Sequence, residues 1–193
     1  GDERPCLRLG LGRRTDLTMA HSVELLLDAH ADAVIRSAWQ DLDDAGLPSQ
    51  VRVKSPTNRP HVTLVAADRI DPDVDEALRG LGHRFPLRVV VGAPLVFGGP
   101  SLTLARLIIP SAALLDLHAD VYRRALPHVV GEPFPHCRPG HWTPHATLGR
   151  RFGAERIGAA LEVVNRSGAD VAADVVGLRR WDGDERLDYP LVG

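Results

Sequence analysis

Apolar positions along the chain follow two different periods. Val23–Asp28 is a short, nearly continuous apolar run closed by a capping-type aspartate, which predicts a buried strand handing over to a helix. Over Asp32–Ala45 the period lengthens: Val34, Ile35, Ala38, Trp39 and Leu42 share one helical face, and Gly46-Leu47-Pro48 ends the helix. A polar, turn-rich loop, Lys54–Pro60, leads into a strand over His61–Ala67. Asp71-Pro72 opens a short helix to about Leu81. Strands follow at Phe85–Val91, Pro94–Phe97 and Leu102–Ile109, separated by glycine turns. Ser111 caps a helix through Leu126, with Leu114, Leu117, His118, Val121 and Tyr122 on or beside its apolar face. Pro127–His141 is a loop long enough to expect a function of it. Thr143–Arg150 reads as a strand, Ala154–Asn165 as a helix, and Asp170–Trp181 with Arg186–Leu191 as a closing hairpin around Asp182-Gly183.

Strands and helices thus alternate irregularly, with hairpins between them. This favours an α+β fold rich in antiparallel sheet over a doubly wound parallel one. No glycine-rich phosphate loop occurs, and Gly98-Gly99-Pro100 reads as a hairpin turn. At 193 residues, one domain is expected. Residues 1–18 carry Arg4, Arg8, Arg13 and Arg14 but no apolar core or cleavage site of a secretion signal. Met19 is the only methionine, so residues 1–18 are read as an N-terminal extension and 19–193 as the domain. Cys6–Gly10 within the extension has the pattern of an edge strand.

Composition narrows the function classes. Apolar residues make up 44% and charged residues 25%, which excludes a disordered or fibrous chain. No apolar run reaches the roughly 18 residues of a membrane span. A formal net charge of −2 argues against an extended nucleic-acid surface, but not against a small anion held by local cations. Two cysteines, Cys6 and Cys137, cannot build a disulfide framework, so a cytoplasmic location is expected. The composition leaves the oligomeric state open.

Candidate chemistry comes from a repeat. Pro60-His61-Val62-Thr63-Leu64 and Pro144-His145-Ala146-Thr147-Leu148 are both P-H-x-T-L, and both open a predicted strand. Residues i and i+2 of a strand share a face. His61 and Thr63 therefore project together, as do His145 and Thr147, while Val62, Leu64, Ala146 and Leu148 face the core. Side by side, the two strands would give one groove two imidazoles and two hydroxyls. That set suits a phosphodiester: one histidine takes a proton from water, the other gives one to the leaving oxygen, and the threonines donate to non-bridging oxygens. No metal or other cofactor is required. The two motifs are alike, so the division of acid and base between His61 and His145 stays open.

The paired motifs resemble those of the two-histidine (2H) phosphoesterase superfamily, in its branch of 2′-5′ RNA ligases and RNA 2′,3′-cyclic phosphodiesterases. The likeness extends from about Met19 onward and includes P-H-x-T-L-x-R at the second motif, ending in Arg150. It implies two similar lobes around a pseudo-twofold axis, with the groove between them. It also implies opening of a 2′,3′-cyclic phosphate, on an RNA end or a nucleotide, to a 2′-phosphomonoester, with reversible 2′-5′ RNA ligation as related chemistry. Arg150 would then contact phosphate or substrate. In a regular strand it lies on the Leu148 side, and a twist is needed to turn it into the groove. Val65-Ala66-Ala67 after the first motif offers no polar counterpart. Two readings stand for Trp142: a surface for stacking a base, or an anchor of the long loop. His136, Cys137, His141 and His145 lack the spacing of a strong zinc motif. The competing functional class is a non-catalytic binder of phosphorylated nucleotides or RNA ends in the same groove.

Overall fold

A computed structural model describes residues 19–99, 101–166 and 169–193. The Cys6–Gly10 expectation and the rest of the extension lie outside the described residues. β1 (His21–Leu27) passes into α1 (Ala29–Asp44), and Asp28 caps the helix by accepting the Ala31 amide. β2 (His61–Ala67) and the short β3 (Arg69–Ile70) lead to α2 (Val74–Arg79). β4 (Leu87–Phe97) and β5 (Leu102–Ile108) precede α3 (Ala112–Ala125), capped by Ser111. β6 (Val129–Val130), β7 (His145–Phe152), α4 (Ala154–Asn165), β8 (Val171–Asp182) and β9 (Leu187–Val192) complete the described chain.

The main sheet runs β2-β1-β8-β4-β5-β7, with β9 also paired to β8 and every pairing antiparallel. β8 is the shared strand: Val171–Val175 pairs with β4, and Val175–Trp181 pairs with β1. β2 and β7 stand at opposite ends of this order yet pack against each other. The sheet therefore bends into two lobes whose outermost strands meet.

The lobes repeat one unit. β1–α1–β2 and β5–α3–β7 are both strand–helix–strand, with the two strands paired antiparallel. Their helices are exchanged: α1 packs on β7 and β8 beside α4, whereas α3 packs on β2 beside α2. The apolar face of each helix explains this placement. Ile35, Ala38, Trp39 and Leu42 are buried on α1, as are Leu114, Leu117, His118 and Val121 on α3.

Three local expectations change. The strands expected at Phe85–Val91 and Pro94–Phe97 merge into one that begins at Leu87, because Gly92 marks a bulge instead of a turn: Val91 pairs with Ile108 and the next partners are Pro94 and Arg106. Arg106, 1% exposed, holds that bulge by donating to the Gly92 carbonyl at 2.5 Å. The helix expected from Asp71-Pro72 starts at Val74, and its end tightens into a 3₁₀ turn over Gly80–Arg84. The long loop is not strand-free, since Val129–Val130 pairs with Arg69–Ile70. Farther along it, the Phe134 amide donates to the Ala66 carbonyl, tying the loop to β2.

Candidate active site

Both motif strands begin with the same burial pattern: histidine and threonine half-buried, the residue between them and the leucine buried. Leu64 and Leu148 are fully enclosed, which anchors each strand by its back; burial of one leucine stabilises by about 1.5–3 kcal/mol. Both strands bulge at that leucine. Glu24 pairs with Thr63 and Val23 with Val65, so Leu64 is the extra residue; Ala105 pairs with Thr147 and Leu104 with Gly149, so Leu148 is. A bulge reverses the alternation of faces beyond it. It turns Arg150 into the groove, where a regular strand would have pointed it away. Gly149 is needed here, because a Cβ at that position would collide with the Pro48 carbonyl and the Phe152 ring.

The imidazoles are fixed in one tautomer. His61 Nδ1 lies 2.8 Å from the Arg59 carbonyl, and His145 Nδ1 lies 2.7 Å from the Thr143 carbonyl. A carbonyl only accepts, so each Nδ1 carries the proton and each Nε2 is left for chemistry. Both rings line a cavity of about 410 Å³, together with Thr63, His136, Arg150 and Glu24. A second cavity of about 330 Å³ adjoins it and adds Thr147, Trp142 and Phe97. The quartet read from the repeat is thus gathered in one continuous groove, although β2 and β7 do not pair by hydrogen bonds.

Indoles brace both motif strands. Trp142 Nε1 donates to the Thr63 carbonyl at 2.8 Å, and Trp39 Nε1 donates to the Thr147 carbonyl at 2.9 Å. Trp142 also stacks on His118, with ring centroids 4.0 Å apart and planes 4° from parallel. One face of Trp142 is thereby occupied, and the residue is both loop anchor and groove wall. His118 Nε2 donates to the Cys137 carbonyl at 2.9 Å. Burial, opposed by hydrogen bonds to Cys137 and Leu64, pushes the His118 pKa down.

The surroundings of the two histidines differ. Glu24, buried on β1, lies 3.6 Å from His61 Nε2. Its Oε1 accepts from Ser22 Oγ at 2.6 Å, and its Oε2 accepts from Arg179 Nε at 2.9 Å. Burial works to raise the Glu24 pKa, but His61, Arg179 and the Ser22 hydroxyl outweigh it and hold the carboxyl below its usual range. Around His145 the balance is reversed. Burial lowers its pKa, the Thr143 hydrogen bond opposes this, and the charges of Arg150, His136 and His61 lower it further. Phe97 packs on the His145 ring with centroids 4.5 Å apart.

Sequence reasoning passed over Glu24, Arg179 and the bracing role of Trp39. The available signal for Glu24 was an acid inside an otherwise apolar strand, sharing parity with Ser22. Among the described residues, the His/Cys/Asp/Glu group close enough to share an ion is His21, Asp182 and Asp184, not the His136–Cys137–His141–His145 set. Asp182 Oδ1 already accepts the Asp184 and Glu185 amides in the β8–β9 turn. No described helix is long and apolar enough to cross a membrane.

The family model of the 2′-5′ RNA ligase superfamily matches residues 28–186, most of the chain. The chain belongs to that superfamily. Membership places it among the 2H phosphoesterases and supports a phosphodiesterase- or ligase-like role. Kluyveromyces marxianus Usb1, in a structure with uridine monophosphate, is similar in fold: TM-score 0.51 at 14% identity, over 90% of this chain and 98% of that one. E. coli LigT in apo form aligns with TM-score 0.48 at 16% identity, over 89% of this chain and 93% of that one. No curated protein matches the sequence.

Proposed function

We propose that the protein is a metal-independent phosphodiesterase that opens 2′,3′-cyclic phosphates of RNA ends or nucleotides to 2′-phosphomonoesters. One observation carries this reading. Two imidazoles with Nδ1 tied to backbone share one groove, each with Nε2 left for chemistry and a threonine two residues on. An in-line displacement at phosphorus needs a base on one side and an acid on the other. Thr63, Thr147 and Arg150 hold the non-bridging oxygens. One Nε2 takes a proton as water oxygen bonds to phosphorus. The other Nε2–H protonates the ribose 3′ oxygen as its bond to phosphorus breaks, leaving the phosphate on the 2′ oxygen. With the 5′ hydroxyl of a second RNA in place of water, the same step forms a 2′-5′ linkage. A nucleotide-sized ligand also agrees with the uridine monophosphate in the Usb1 structure, a protein of similar fold.

The test is hydrolysis of 2′,3′-cyclic mononucleotides and of a short RNA ending in a 2′,3′-cyclic phosphate, in EDTA, with 2′ and 3′ products resolved. Turnover to the 2′ isomer is expected, and its loss in both His61→Ala and His145→Ala. A requirement for divalent metal would overturn the reading. Tight product binding without turnover, surviving both substitutions, would make the protein a binder instead.

A further inference from the structure

The repeated unit allows a position-by-position comparison of the lobes. Opposite Thr63 on the neighbouring strand stands Glu24; opposite Thr147, at the matching point of the repeat, stands Ala105. Three residues beyond each threonine the charge difference runs the other way, with Ala66 in the first lobe and Arg150 in the second. The backbone is duplicated, while the anion stands beside one histidine and the cation beside the other.

We propose that Glu24 is the positioning residue that makes His61 the proton donor, by holding a carboxylate 3.6 Å from its Nε2. This rests on the acid–base reading above. The carboxylate is built in: its side chain is 5% exposed, and Arg179 and Ser22 fix both oxygens. Arg179 is itself held by the Thr57 carbonyl at 3.2 Å and Asp188 at 2.9 Å. Fixed at both oxygens, the carboxylate cannot swing away from the ring, so the imidazolium of His61 has a permanent counter-charge. Other charged and titratable groups lining the same cavity are Arg179 from β8, Arg150 and His145 from β7, and His136 from the long loop. Of these, Arg179 is already paired with carboxylates, whereas Arg150 and His136 lie toward His145, whose pKa is lowered first by burial and then by their charges and that of His61.

The decisive variant is Glu24→Gln, which keeps an oxygen for Ser22 and Arg179 and removes the charge. The ring resonances of His61, followed by imidazole ¹H–¹⁵N correlation spectra, should titrate lower than in the parent once the neighbouring carboxylate charge is gone. In the pH–rate profile the alkaline limb should move down by the same amount while the acid limb stays, with kcat at neutral pH falling about tenfold and KM little changed. A folded Glu24→Gln protein with an unmoved His61 titration, or with the acid limb displaced instead, would overturn the proposal. His61→Gln tests the same coupling from the other side, on a half-exposed residue whose replacement spares the core. The Glu24 carboxyl, followed by ¹³C, should then titrate higher than in the parent, and no change there would be equally damaging. The spectra need no turnover, so an inactive protein with intact coupling would refute the phosphodiesterase reading and leave the Glu24–His61 link standing.

Discussion

In the first lobe the histidine faces a buried carboxylate; in the second it lies under a phenyl ring, with an arginine and a second histidine nearby. The frames around them are nearly the same: a bulge at the leucine, Nδ1 tied to the carbonyl two residues back, an indole on the threonine carbonyl. Duplication accounts for placing two imidazoles in one orientation. Only departures from the duplicate can give them different work, and those departures are few: Glu24 against Ala105, Ala66 against Arg150, Val65 against Gly149.

The sharpest way to probe that division is to remove the histidines one at a time. His61→Ala and His145→Ala should each lower kcat by at least about 10²-fold. His145→Ala should also abolish the acid limb of the pH–rate profile, which in the parent lies below the ordinary imidazole value of 6.5 because burial and its cationic neighbours depress the His145 pKa. Equal pH profiles for the two variants would break the comparison. Arg150→Met comes next: losing a charged donor to phosphate, worth about 1.5–3 kcal/mol, should weaken substrate affinity about 10- to 100-fold. Ala66→Ser, at the matching place in the first lobe, should change affinity far less, as binding measurements on product would reveal.

Gly149→Ala should cost about 1–3 kcal/mol in denaturant unfolding, since a methyl there meets the Pro48 carbonyl. A stability equal to the parent's would mean that the Pro48 segment yields. The mildest effect is on acid stability. The folded pKa of His118 is depressed, so its contribution is fully present above the unfolded value of 6.5 and is lost as pH falls through the folded value. His118→Gln, which keeps a donor without the titration, should flatten that loss; the Trp39 brace of the other lobe has no equivalent dependence.

Much of this was legible in the chain. His61–Ala67 and Ala154–Asn165 follow from alternation and helical period with the bounds the structure shows. The H-x-T-L repeat announced four groove residues because i and i+2 share a strand face. What escaped depended on departures from regularity or on distant partners. The facing of Arg150 turns on a bulge, which strict alternation gets backwards. Gly92 reads as a turn from sequence, because an isolated glycine in a strand pattern does not declare whether it marks a turn or a bulge. Glu24 sits in a run that reads as buried strand, and its partner Arg179 lies 155 positions away. No local pattern connects them.

The exchange of α1 and α3 between the lobes bears on how the groove can come into being. Each motif strand is backed by a helix contributed by the other half, as in a domain-swapped pair of copies joined into one chain. Neither half by itself supplies the helix that covers its own motif strand. A chain nicked between α2 and β4 can work only while its pieces remain associated, since separation strips Val62 and Leu64 on one side and Ala146 and Leu148 on the other. The two histidines therefore reach their final spacing only once both helices have docked on the strands of the opposite half.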